Sequence, residues 1–342
     1  EEMFKMFIGV YLIMVFDPQI LFNDGFYPLL HVVIPDGSLL HPKFPSALGC
    51  RTHALTRLFD VLGGALARKS PEYTTAAGYG TSPYMLYSGW DRKGEFYYLM
   101  EISYGGIPGR PIGDGMDGHS WWPLFENIPT EYLEAYYPVR VDGYTTVRDS
   151  GGAGFHRGGN GIEKRYLYLE PGEVSIHDDR WLTYPWGILG GQPGRRSEKI
   201  LQRADGTEER LPSKCDEVQV APGDILVYRT AGGGGWKDPL DRPAENVEAD
   251  VAKGLVSEDK ARADYGVVLD DPDATTKLRE ELRTARGEVK DFDLGPELDQ
   301  ILAQAEDETG LPAPQPQAEP LAWAPLESPE DAMRRVREKA GV

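Results

Sequence analysis

Cysteine is almost missing from this chain: 342 residues hold two, Cys50 and Cys215, far apart in sequence. That excludes a disulfide framework and a cysteine-rich zinc site, and both thiols read as small buried hydrophobes. Positive charge is short as well. Lys and Arg total 36 against 55 Asp and Glu, a formal net charge of -19. Such a surface repels a phosphate backbone, so nucleic acid is not an expected partner. The balance suits a soluble cytoplasmic protein, or a subunit that docks on a more basic one. Long apolar runs are also lacking. The apolar stretch at residues 6–16 is too short to span a bilayer, no small-residue cleavage site follows it, and Asp17-Pro18 stops it. It reads as a buried helix, with no membrane partner. The chain opens on Glu1 and enters core-type sequence at once, as expected of a fragment or of a processed or split subunit.

Glycine is what the chain has instead, 40 residues of it. Arg148 to Gly161 packs six glycines around Asp149, His156 and Arg157, and a strand-like run from Ile162 to Leu169 follows directly. Glycine weakens a strand unless the backbone must take positive φ or approach another closely. A linker would be Gly/Ser-rich without the ionic residues, so this segment is expected to form a shaped loop.

The remaining pattern predicts an α+β fold: a β-rich core, sandwich-like or barrel-like, with short helices and a helical, proline-rich C-terminal arm. Arg51 to Ala67 has helical spacing, with Leu55, Leu58, Phe59, Leu62 and Leu66 on one face. Val32 to Ile34 reads as a short strand. Tyr84–Tyr87 and Glu95–Tyr104 read as a hairpin around Asp91-Arg92-Lys93-Gly94. A long irregular loop follows, from Gly105 to Gly118. Pro129 to Tyr137 is expected as a short helix capped by Thr130. Strands are expected at Glu173–His177, Lys199–Arg203 and Ile225–Arg229, and helices at Ala244–Lys253, Ser257–Asp264 and Lys277–Arg286. Ser328 is placed to cap a final helix. The expected divisions are a mixed α/β part over 1–138, a β-rich domain over 139–240, a helical region over 241–311, and an extended arm with a terminal helix over 312–342.

Three groups of residues could carry chemistry. Asp114, Asp117 and His119 share a glycine-rich loop before Trp121 and Trp122. A carboxylate and an imidazole there can position a proton or bind a divalent ion, and aspartates among glycines also make ordinary Asx-turns. His177, Asp178 and Arg180 end a strand; they could orient a substrate carboxylate or form a solvated, internally paired turn. His156 and Arg157 lie in the leading glycine loop, where backbone N–H groups can form an anion nest and Arg157 a bidentate clamp. A structural crossing at a subunit contact fits them equally. No P-loop lysine follows those glycines, and a strand rather than a helix comes next. Ala231 to Trp236, with four successive glycines, favours close backbone packing over a phosphate site.

Several motifs, taken in order, resemble the hydantoinase B/oxoprolinase family: Phe22-Asn23-Asp24-Gly25, Gly115-Met116-Asp117-Gly118-His119, Asn127-Ile128-Pro129-Thr130-Glu131, Asp149-Ser150-Gly151-Gly152-Ala153-Gly154, Arg157-Gly158-Gly159-Asn160-Gly161, Pro185-Trp186-Gly187-Ile188-Leu189-Gly190-Gly191 and Gly232 to Leu240. Gly254-Leu255-Val256-Ser257 and Tyr265-Gly266-Val267-Val268 complete the pattern, which spans about Ile13 to Leu269. The Asp117 to Pro123 variant, with Phe125 to Pro129, is similar to the acetone and acetophenone carboxylase branch.

The resemblance implies a B-type subunit in a hetero-oligomer. An actin-like A-type partner would bind ATP and phosphorylate an amide or enolate oxygen of a small-molecule substrate. The B-type subunit would then receive the activated carbonyl for cyclic-amide hydrolysis or ketone carboxylation. A divalent metal (Mn, Zn or Mg) would be held by the family's N-terminal half, which this chain is expected to lack, so no metal ligand is assigned. In that frame His119, Asp117, His177 and Asp178 are the candidate catalytic residues, with His119 as proton carrier. His156, Arg157 and Arg180 are the candidate substrate or anion contacts. The alternative is a non-catalytic scaffold that binds the ATPase partner.

Overall fold

The computed structural model describes residues 51–121 and 125–312, with scattered positions before residue 50 and after residue 330. The helix expected at residues 6–16, the strand at 32–34, Cys50, Trp122, the arm over 313–330 and the Ser328 cap fall on or within undescribed stretches. The chain divides into two compact units, Glu1–Leu62 with Pro314–Val342, and Gly63–Ala313. The first contains most of helix α1 (Arg51–Ala67). Everything below concerns the second. Among the described residues no helix is long and apolar enough to cross a membrane.

The aromatic hairpin forms as its turn residues dictate. Strand β1 (Tyr84–Trp90) pairs antiparallel with β2 (Phe96–Ile102), and the Asp91 carboxylate accepts from the amides of Lys93 and Glu95, closing the turn. On its other side β1 pairs with β5 (Gly172–His177), which pairs with β9 (Lys214–Val220). A second antiparallel sheet runs in the order β3 (Val139–Thr146), β4 (Ile162–Tyr168), β10 (Ile225–Arg229), β7 (Glu198–Gln202) and β8 (Glu208–Leu211). The short β6 (Gly187–Ile188) pairs with β11 (Phe292–Asp293). Strand alternation sends Met85, Tyr87, Leu99 and Ile176 of one sheet and Tyr166, Tyr168, Leu226 and Tyr228 of the other into a single core. The fold is therefore α+β with a sandwich-like core, and neither sheet closes into a barrel.

Helix α2 (Thr130–Tyr136) starts one residue later than expected. Pro129 rather than Thr130 holds the cap position, so no side-chain bond caps the helix there. The later helices are α3 (Ala244–Ala252), α4 (Glu258–Tyr265), α5 (Pro272–Arg286) and α6 (Leu298–Thr309). Ser257 caps α4 by accepting from the Lys260 amide. Helix α5 begins five residues before the expected Lys277, because Asp271 caps it and Pro272 opens it.

The segment from Gly105 to Gly118 is irregular, as read from sequence, but Gly105 to Gly109 and Gly115 are buried, while Ile112 and Met116 stay exposed. It lies against glycine-bearing segments at residues 150–161 and 231–236, and these two lie in turn against residues 185–194; backbone hydrogen bonds join them. Gly106 N–H donates to Ala231, Gly159 N–H to Ile107, Gly233 N–H to Gly159, Gly109 N–H to Gly234 and Gly152 N–H to Gly233, all at 2.8–2.9 Å. Apart from the two-residue β6 none of these segments forms a strand, yet they satisfy one another's polar groups. Two positions show why glycine is required. A Cβ on Gly106 would overlap the Gly159 carbonyl and the Gly233 amide, and one on Gly159 would overlap the Met116 carbonyl. Gly159→Ala is expected to lose more than about 4 kcal/mol of stability or to fail to fold, whereas Gly94→Ala, whose Cβ meets open space at a turn of φ 81°, should cost about 1 kcal/mol; urea unfolding of the two variants checks the contrast.

Candidate functional site

The glycine layer brings Asp114, Asp117, His156 and Arg157 together and adds two residues from the chain beyond it. Arg157 is fixed by a fork: Nη1 and Nη2 donate to the two Asp117 carboxylate oxygens at 2.8 and 3.0 Å. Its Nε lies 3.5 Å from Asp250 on α3. Arg242 makes a second fork, on Asp114, at 2.7 and 2.8 Å, and its Nη2 also reaches Asp250 at 2.8 Å. Its Nη1 donates to the Phe155 carbonyl at 2.8 Å. The two guanidinium groups and Asp250 are buried, while Asp114 keeps 35% of its side chain exposed.

The glycine loop, a candidate anion nest by sequence, instead has its amides taken within the chain, those of His156, Gly158 and Gly159 by backbone carbonyls. The Arg157 amide donates to Asp114 at 3.0 Å and the Asn160 amide to Asp117 at 2.7 Å. Asp114 and Asp117 therefore sit where an exogenous anion would sit, and the bidentate capacity of Arg157 is spent on Asp117.

His156 stands at the rim. Its Nδ1 lies 3.5 Å from Asp114 Oδ1, its ring stacks on Trp236 with centroids 5.7 Å apart, and 22% of the side chain remains exposed. Trp236 is held in turn by donation from its Nε1 to the Thr74 carbonyl at 3.0 Å. Burial lowers the His156 pKa below its ordinary 6.5; Asp114 opposes that shift and is outweighed, with Arg242 and Lys237 adding to the lowering. Burial acts to raise the Asp114 pKa, but the Arg242 hydrogen bonds and charge, with Arg157 behind them, hold it below 3.8. The result is a neutral imidazole beside an ionised carboxylate near neutral pH.

The other candidates lie elsewhere. His119 is exposed, on a loop whose backbone bridges to Gly105. His177 and Asp178 part company at the end of β5. His177 Nε2 meets Asp216 at 3.0 Å, while Asp178 is buried and paired with Lys199. Arg180 is 3% exposed, and donates to the Gly78 and Tyr184 carbonyls at 3.1 and 2.8 Å. No group of three or more His, Cys, Asp or Glu side chains among the described residues is arranged to hold a metal ion. The Asp114 and Asp117 carboxylates are directed at guanidinium groups, a donor set that does not suit a cation. Arg242 and Asp250, which complete the network, carry no local sequence signal: one precedes a proline and the other is a mid-helix aspartate.

The sequence profile of the Hydantoinase B/oxoprolinase family matches residues 1–239. The chain belongs to this family. It is 33% identical over 285 residues to the beta polypeptide of the caprolactamase of Pseudomonas jessenii, covering 77% of this chain and 48% of that polypeptide. It is 31% identical over 253 residues to a B-type D-/L-hydantoinase protein of Pseudomonas sp. strain NS671, covering 73% of this chain and 42% of that protein. Its fold matches the crystal structure of the ATP-dependent caprolactamase from Pseudomonas jessenii at a TM-score of 0.65 and 27% identity, over 80% of this chain and 50% of that one. The chain thus spans about half the length of these hydantoinase B relatives. The glycine segments and the Asp114, Asp117, His156 and Arg157 positions all lie within the family-matched stretch, while Arg242 and Asp250 lie beyond it.

Two outcomes follow from the paired charges. Asp117→Ala strands the buried Arg157 guanidinium and is expected to lower the unfolding free energy by about 3 kcal/mol, read by urea denaturation. His156 and Asp114 both have folded pKa values below their ordinary 6.5 and 3.8. Each therefore contributes stability that is complete above the ordinary value and lost as pH falls through the folded one. The thermal midpoint should fall on acidification below 6.5, and His156→Asn should remove the first part of that fall while leaving the carboxylate part.

Proposed function

We propose that this chain acts within a B-type subunit of an ATP-dependent, cytoplasmic hetero-oligomer that opens the amide bond of a small cyclic substrate, with His156 carrying the proton. An actin-like A-type partner would bind ATP and transfer phosphate to the amide oxygen, which makes the amide carbon electrophilic. Water then adds to that carbon: a C–O bond forms, and the water's proton passes to neutral His156. The C–N bond breaks as His156 returns that proton to the departing nitrogen and the added hydroxyl releases its own proton to solvent, leaving an acyl phosphate that a second water hydrolyses to carboxylate and phosphate. Asp114 orients the imidazole and stabilises its charged form. His119, exposed on the neighbouring loop, is the second candidate for proton delivery.

The observation that carries this reading is the His156–Asp114 couple, partly open to solvent on an otherwise buried and paired network. A neutral imidazole beside an ionised carboxylate is a general base at neutral pH. The similarity to proteins named for a caprolactam and a hydantoin favours a cyclic amide as the substrate class. Family membership also admits ketone carboxylation.

The test is reconstitution of the complete complex with its ATPase partner, followed by ADP formation and product release with hydantoin, 5-oxoproline, caprolactam, and acetone plus bicarbonate. Turnover on a cyclic amide is expected, and His156→Asn should lower kcat by about 100-fold or more. Full turnover in the folded His156→Asn complex contradicts the assignment and favours the scaffold role.

A further inference from the structure

We infer that Arg242 is the positioning residue of the candidate site: from outside the family-matched stretch, and anchored by Asp250 on α3, it sets the orientation of Asp114 and through it the imidazole of His156. The functional part of this inference rests on the reading of His156 as proton carrier; the structural link does not.

The geometry makes one guanidinium the junction of three elements. Arg242 grips both oxygens of Asp114 on the Gly105–Gly118 segment, the Phe155 carbonyl beside His156, and Asp250 of α3. It is 2% exposed, and the Arg279 guanidinium of α5 donates to its carbonyl at 2.6 Å, fixing the backbone as well. Two further contacts tie the glycine loop to the same downstream stretch. Asn160 Nδ2 donates to the Leu255 carbonyl at 2.9 Å, and the Ser257 amide donates to Asp149 at 2.7 Å. Helix α3 and the turn after it therefore line one side of the site.

The arrangement has a chemical consequence. A carboxylate gripped through both oxygens by a guanidinium has less charge to offer a neighbour and no freedom to rotate towards it. Asp114 is in that position relative to His156, and the 3.5 Å separation is the long approach such a grip leaves. The charged groups acting on His156 are Asp114, Arg242 and Lys237. Removing the Arg242 charge frees Asp114 to close on the imidazole and deletes a repelling cation, and both changes favour the imidazolium. Arg242 would thus keep the imidazole unprotonated and the carboxylate at a fixed distance.

The experiment is a proton NMR titration of the six histidines in the unsubstituted chain, Arg242→Gln and Arg242→Lys, with the His156 signal assigned by its loss in His156→Asn. Arg242→Gln should move the His156 titration to higher pH. Arg242→Lys, which keeps the charge and loses the fork, should move it part of the way. In the reconstituted complex, Arg242→Lys should lower kcat on the order of tenfold to a hundredfold with KM little changed. The acid limb of its pH profile should move in the same direction as the titration. Should Arg242→Gln fail to fold, Asp250→Asn reads the same link: Arg242, freed of its second carboxylate, bears harder on Asp114 and His156 and should lower the His156 titration. An unmoved His156 titration in folded Arg242→Gln, or in Asp250→Asn where that is the variant measured, overturns the inference. Full turnover of His156→Asn would sink the proton-carrier role alone and leave the Arg242 link standing; an inactive His156→Asn with an unmoved titration would do the reverse.

Discussion

The second unit of this protein depends on backbone meeting backbone. Four glycine-bearing segments, distant in sequence, pass so close to one another that several of their Cα atoms have no room for a Cβ, and their amides and carbonyls pair across the gaps. This packing lacks the side-chain burial that normally offsets chain ordering. What it offers is dense hydrogen bonding in a space that side chains cannot enter, with almost no rotamer freedom left to lose. The flanking sandwich, with its tyrosine-rich core, provides the apolar burial that the glycine layer lacks. The arrangement is stiff because any displacement of one segment breaks donors and acceptors in two others.

That stiffness decides what the ionic residues can do. Loop N–H groups that could have bound a free anion are occupied by Asp114 and Asp117, and these carboxylates are in turn neutralised by Arg242 and Arg157. Three carboxylates and two guanidinium groups hold one another in a buried network, where an unpaired member would cost several kcal/mol. Its exposed parts are His156, Asp114 and an edge of Asp117. The paired groups hold the shape of the site, and the proposed proton transfer falls to His156 at its rim.

Much of this was legible from sequence, and the limits have physical causes. The hairpin at Asp91–Gly94, helix α1 and the Ser257 cap were readable because their signals are local: turn residues, a 3.6-residue period, a hydroxyl before a helix. The start of α5 was hidden because Asp271 and Pro272 look like loop residues until the helix after them is known. The burial of Gly105 to Gly109 was hidden because the partners of Gly106, Tyr79 and Ala231, are far from it in sequence. The pairing of Asp117 with Arg157 likewise bridges elements that no spacing rule connects. Adjacency misled at His177-Asp178-Arg180. Alternation along β5 turns His177 towards Asp216 at the surface and leaves Asp178 inside with Lys199, so three neighbours in sequence serve three separate places.

The central claim is that the glycine layer is a rigid interior rather than a set of loops, and amide hydrogen exchange tests it most directly. The amides of Gly106, Gly159, Gly233 and Gly234 should exchange only through global unfolding, with the same free energy as those of β4 and β10. Exchange of these glycine amides within minutes, while β4 and β10 stay protected, would contradict the account.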